Sequence, residues 1–139
     1  MQLKVGCSHC VDLSPLALCN NIVFQYCDTL TDKDISALGK QVSLDLSGCR
    51  GITDVSHLNR VKYLFLNHCT GIKKGWGCLS DVSSLNVSYC VQLTDDDTVT
   101  FGTIHDLTLS FTNITRVGHL RNVSILNIRG CCFVTDVSS

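Results

Sequence analysis

Residues 44–58 read LDLSGCRGITDVSHL. Leu44 and Leu46 alternate with polar neighbours, the mark of a short strand with one buried face. Cys49 follows, then the aliphatic Ile52, then Thr53-Asp54. The tail of this phrase returns as CDTLTD at 27–32, CVQLTD at 90–95 and CCFVTD at 131–136. Its head returns more often. Ile22 to Cys27, Leu64 to Cys69, Leu85 to Cys90 and Leu126 to Cys131 all read apolar-x-apolar-x-x-Cys, and Leu107 to Thr112 fits with threonine at the last position. Val5 to Cys10 is a weaker first copy. The anchors stand at 10, 27, 49, 69, 90, 112 and 131, at intervals of 17, 22, 20, 21, 22 and 19 residues.

A unit of about 20 residues holds one strand and one return segment, too little to fold alone. Stacked units give a parallel sheet, and seven rungs at about 4.8 Å span roughly 30 Å. The return segments are too short for long helices, so turns or single 3₁₀ turns are expected on the far side. The anchor cysteine is expected where the chain leaves the strand and bends inward, as a small apolar filler with a weak S–H donor. Leu30, Ile52, Ile72, Leu93 and Val134 then fill the core, and Thr-Asp at 31–32, 53–54, 94–95 and 135–136 reads as a turn and cap.

The repeated LxLxxC with its tail C-x-x-[I/L/V]-T-D-V-S resembles the leucine-rich repeat, in a short cysteine-containing form similar to protozoan, particularly trypanosome, arrays. It also resembles the longer cysteine-type repeats of F-box adaptor subunits. The resemblance covers nearly the whole chain. It implies an α/β leucine-rich repeat solenoid, with one curved parallel sheet of about seven strands on the concave face and short turns or 3₁₀ helices on the convex side. Residues 1–139 then form a single domain of about seven repeats, the last incomplete. Such domains act as protein-interaction modules, so a non-enzymatic module binding a protein on its concave sheet is expected. A substrate-recognition fragment of a ubiquitin ligase or of another larger assembly is the alternative within the same class, although nothing resembling an F-box is present.

Composition narrows the classes further. The chain has 139 residues, 45% of them hydrophobic, with 11 basic and 12 acidic side chains and a net charge of −1. No basic excess draws it to nucleic acid. No run approaches the ~18 apolar residues of a membrane span. MQLKVGCSHC, residues 1–10, has no continuous apolar stretch of signal-peptide length, which points to an intracellular, cytoplasmic or nuclear, setting. Ten cysteines suggest disulfides or zinc, but six fall on repeat anchors. Thiols kept reduced as packing residues are the expectation.

Departures from the repeat are candidate sites. Cys7-Ser8-His9-Cys10 is half a zinc site that Cys19 and Cys27 could complete, and a zinc-dependent module is the reading from a different class. A degenerate first repeat is the plainer one, and no cofactor is expected. Lys73-Lys74-Gly75-Trp76 replaces Thr-Asp, either as a basic aromatic knob or with Trp76 as core filler, and the second is favoured. Thr94-Asp95-Asp96-Asp97 lacks calcium-loop spacing and reads as a capped turn. His57 and His119 share one repeat position, which marks convex surface rather than catalysis. Asn86, Asn113 and Asn122 begin glycosylation sequons, two of them in or beside expected strands.

With Leu44 and Leu46 inward, period two sends Ser43, Asp45 and Ser47 outward. The same rule exposes Tyr63, Phe65 and Asn67, then Ser84, Asn86 and Ser88, then Asp106, Thr108 and Ser110, then Ile125, Asn127 and Arg129, with Asn21, Val23 and Gln25 ahead of them. Two aromatics in the middle of a polar face suggest an interface centre. The candidate partner-binding residues are Asp45, Tyr63, Phe65, Asn67, Asn86, Asp106, Asn127 and Arg129. Ser139 falls in the middle of a return segment, so the strand at Leu126 and Ile128 is expected either to be followed by further repeats or to pair with another copy or a partner.

Overall fold

Each LxL segment forms one short strand. The computed structural model describes the backbone of residues 2–4 and the whole of residues 13–138. The strands are β1 (Gln2–Lys4), β2 (Asn21–Val23), β3 (Ser43–Asp45), β4 (Tyr63–Phe65), β5 (Ser84–Asn86), β6 (Asp106–Thr108) and β7 (Ile125–Asn127). They form one parallel sheet in sequence order. Each central apolar residue lies beside its equivalent, so Ile22, Leu44, Leu64, Leu85, Leu107 and Leu126 share one column. In β1 that place belongs to Leu3, opposite Ile22. The first copy thus starts two residues earlier than the Val5–Cys10 alignment, because Leu3 and not Val5 keeps the register. Residues 5–12, with Cys7, His9 and Cys10, lie outside the described residues.

The return segments are 3₁₀ turns, at Ser14–Leu18, Ser36–Leu38, Ser56–Leu58, Trp76–Asp81, Val99–Thr103 and Gly118–Leu120. One α-helical turn, α1 (Asp32–Ile35), precedes the second of these. Thr31 caps it, with Asp34 returning a carboxylate to the Thr31 N–H (2.8 Å) and hydroxyl (2.6 Å). Thr94 and Asp97 repeat the arrangement at 2.9 and 2.6 Å.

The core is a stack of columns. Leu44, Leu46, Cys49, Ile52, Val55 and Leu58 are all fully buried, and the residues equivalent to Leu44, Leu46, Cys49 and Ile52 on the next two rungs are buried with them. Trp76 is buried and meets Phe101 edge to face at 6.4 Å, so it is core filler and not a surface knob. Gly75 makes this possible. It has φ +93°, and a Cβ there would lie 2.3 Å from the Ser56 nitrogen, so only glycine lets the chain pass this close and turn Trp76 inward.

The cysteine anchors tie rung to rung. Cys49 Sγ donates to the Phe24 carbonyl (2.8 Å), Cys69 to Leu46 (3.0 Å), Cys90 to Leu66 (3.2 Å) and Cys131 to Leu109 (3.1 Å). Thr112 breaks the series, since its shorter hydroxyl donates to Leu109 of its own rung (2.7 Å). Burial raises the thiol pKa of Cys49 to about 11 and of Cys90 to about 12, and pushes Cys69 up further still. Cys19, Cys49, Cys69, Cys78, Cys90, Cys131 and Cys132 are free thiols. Cys27 departs from the expectation of reduced anchors, because it is disulfide-bonded.

Candidate interaction surface

The sheet register gathers the outward residues into columns. Ser43, Tyr63, Ser84, Asp106 and Ile125 form the first, and Asp45, Phe65, Asn86, Thr108 and Asn127 the second. All eight candidate residues therefore share one side of the sheet or the turn just beyond it. Tyr63 is 45% exposed, Asn127 and Arg129 are exposed, and Asp45, Phe65, Asn67, Asn86 and Asp106 are half-buried. Other outward positions differ from the sequence reading. Val23 is buried, and so are Ser47, Ser88 and Ser110.

Hydrogen bonds explain the buried serines. Asn86 Oδ1 accepts the Ser88 N–H (3.0 Å) and hydroxyl (2.7 Å). Asp45 Oδ1 accepts the Ser47 N–H at 2.9 Å and also contacts its hydroxyl, which lies 2.7 Å from Asn67 Oδ1. Asn127 Oδ1 accepts the Arg129 N–H (3.1 Å) and the Ser110 hydroxyl (3.0 Å). Gln25 donates to Asp45 Oδ2 at 2.6 Å. These acceptors hold the bend at the strand exit. The side chains that shape the turn are thus the same ones that line the face.

The next residue along enters the left-handed region, so that the anchor cysteine can point inward. The column reads Tyr26, Gly48, His68, Tyr89, Phe111 and Gly130, all with φ between 57° and 75°. Bulky residues there cost about 1–3 kcal/mol each. Stacking offsets part of that cost. His68 lies parallel to Tyr89 with centroids 4.2 Å apart, and Tyr89 to Phe111 at 4.6 Å. The Tyr26 ring covers Gly48 and the Phe111 ring covers Gly130, where a Cβ would meet the rings at 2.3 and 2.4 Å. The rings form a ridge beside the sheet, and Tyr26, Tyr89 and Phe111 remain exposed. Period-two reasoning misses this ridge, because it follows the strand and these residues stand after it. The signal in the sequence is that every residue just before an anchor, from Tyr26 to Gly130, is either glycine or aromatic.

The other candidate sites resolve differently. Asp95 accepts the Thr115 and Arg116 N–H groups (2.8 and 3.1 Å) and the Thr115 hydroxyl (2.6 Å), which makes Thr94–Asp97 a capped turn tied to the next rung. Lys74 pairs with Asp54 at 3.1 Å. His57 is exposed, and His119 meets the hydroxyl of the buried Thr98 at 2.8 Å. Among the described residues, no group of three or more His, Cys, Asp or Glu side chains is placed to hold a metal ion. Cys7 and Cys10 lie outside those residues, and the disulfide at Cys27 removes one thiolate from the zinc set. No helix among the described residues is long and apolar enough to cross a membrane.

Solved structures share this architecture. An internalin (inlF) from Listeria monocytogenes matches 90% of this chain with TM-score 0.68 and 21% identity. The fold is that of a leucine-rich repeat solenoid. An internalin C2 (inlC2) from the same organism matches 92% of the chain with TM-score 0.51 and 17% identity. The chain spans 40% of the length of the inlF chain and 70% of that of inlC2. No family model and no curated protein matches the sequence.

Proposed function

We propose that this leucine-rich repeat domain is a non-enzymatic module that binds a protein partner across the outer face of its sheet. The observation carrying this reading is the exposed Tyr63 beside Phe65 on a mostly polar face bordered by the Tyr26, Tyr89 and Phe111 ridge. Aromatic anchors ringed by polar groups are the usual energetic centre of protein interfaces. The contact residues on this reading are Asp45, Tyr63, Phe65, Asn67, Asn86, Asp106, Asn127 and Arg129. Asn67, Asn86 and Asn127 use their oxygens for internal bonds, which leaves their amide N–H groups as donors toward a partner backbone. Seven free thiols among the described residues suit a reducing compartment, against the single disulfide-bonded Cys27, and an intracellular setting belongs to the same proposal.

The test compares capture from cell extract by the wild-type domain and by a Tyr63→Ser/Phe65→Ser double variant. A specific partner should be retained by the wild type, and its affinity should fall about 100-fold or more for the variant. Equal retention by both would remove the sheet face from consideration.

A further inference from the structure

On the return side of the solenoid, away from the sheet, a groove opens beside the 3₁₀ turns Ser36–Leu38 and Ser56–Leu58. Its charged or titratable lining groups are Lys40, His57 and Arg60, and no carboxylate lines it. The chain as a whole carries 11 basic and 12 acidic side chains, so this sorting does not follow from composition. All three side chains are exposed, and none makes a hydrogen bond or ion pair among the described residues.

The repeat itself places the charges. Lys40 precedes Ser43 by three residues and Arg60 precedes Tyr63 by three, and Ser43 and Tyr63 are register partners. The two cations therefore occupy one step of the repeat on adjacent rungs. Asp81 holds the same step one rung further on, but it does not line the groove and makes no ion pair with Arg60. Asn59 and Ser36 add polar groups to the lining. Gly39 keeps the two rungs in contact there, since a Cβ would lie 2.0 Å from the His57 carbonyl oxygen.

We propose that this groove is an anion site that takes a phosphoryl group. The Arg60 guanidinium matches two phosphoryl oxygens with paired N–H donors, and Lys40 supplies a second full charge. His57 and Asn59 add further N–H donors to the lining. Two cations with such donors suit a dianion better than a single carboxylate. The net charge of −1 argues against an extended phosphate backbone, but it leaves room for one local phosphoryl group. The site is independent of the protein-binding face.

The full chain should be titrated at low salt with pyrophosphate and, separately, with a phosphoserine peptide and its unphosphorylated twin, followed by calorimetry. At least one phosphorylated probe should bind saturably, and Lys40→Ala and Arg60→Ala should each weaken it at least about tenfold. Lys73→Ala, at another exposed lysine, should leave the affinity unchanged. Binding of pyrophosphate and phosphopeptide alike would identify a free phosphorylated compound as sufficient, and binding of the phosphopeptide alone a phosphorylated chain. Absence of saturation with either probe by about 10 mM overturns the proposal. So does binding that Lys40→Ala and Arg60→Ala leave intact, or that Lys73→Ala weakens equally.

Discussion

Side-chain direction in β4 is the most testable feature at the residue scale. Leu64 is fully buried, whereas Tyr63 is 45% exposed on the opposite side. Leu64→Ala should cost about 2–5 kcal/mol in urea unfolding, through the cavity it leaves. Tyr63→Ser and Phe65→Ser should each stay within about 1 kcal/mol. The reverse order would mean a register wrong by one residue. Gly75→Ala should lose at least about 1–3 kcal/mol, because φ +93° and the backbone of Ser56 both oppose a side chain. The thiols give a second readout. Near pH 8 an alkylating reagent should reach the exposed Cys78 and Cys132 first, and Cys49, Cys69 and Cys90 only after denaturation. Native labelling of those three at the same rate would contradict the ladder.

At the scale of the repeated element, turn carboxylates tie the structure together. Asp54 is held at about 2 by donation from the Ser56 hydroxyl and N–H. Burial pushes Asp95 upward, but donation from Thr115 and Arg116 outweighs it and holds this group at about 2 as well. Both lie below the ordinary carboxylate value of ~4. Their stabilisation is therefore complete above about pH 4 and disappears as pH falls toward 2. Thermal midpoints measured across that window should fall, and the fall should shrink in an Asp95→Asn variant. The anchor ladder offers a complementary test. Thr112→Cys would restore the cross-rung donor missing there, so it should be neutral or stabilising by up to about 1 kcal/mol.

For the whole molecule, stability should be graded along the array, because each rung touches only its neighbours. Leu107 and Leu109 are fully buried, but Leu126 and Ile128 on the last strand are only partly so, and Ile125 is 56% exposed. Amide exchange should therefore be slowest in β4 and β5 and fastest in β7. Among the described residues β7 has a neighbour on one side alone, so we expect its free edge to pair with a partner or with another copy. Sedimentation across a concentration series reports the second case, in which association should also slow exchange in β7. A monomer at every concentration would exclude self-association through that edge.

The sequence by itself determined the period, the strand columns and the inward residues. Each depends on apolar spacing within a few positions, and Leu44, Leu46, Cys49, Ile52, Val55 and Leu58 are buried in that pattern. The first copy was misaligned by two residues because Leu3 and Val5 both fit a local pattern, and pairing with Ile22 decides between them. Tertiary structure alone showed the aromatic ridge and the buried serines. A left-handed turn residue stacks on a residue some 20 positions away, and Ser47 is covered by Asn67 of the next rung. The groove between Lys40 and Arg60 has the same origin. Contacts between rungs depend on how repeats stack, and spacing within one repeat carries no record of them.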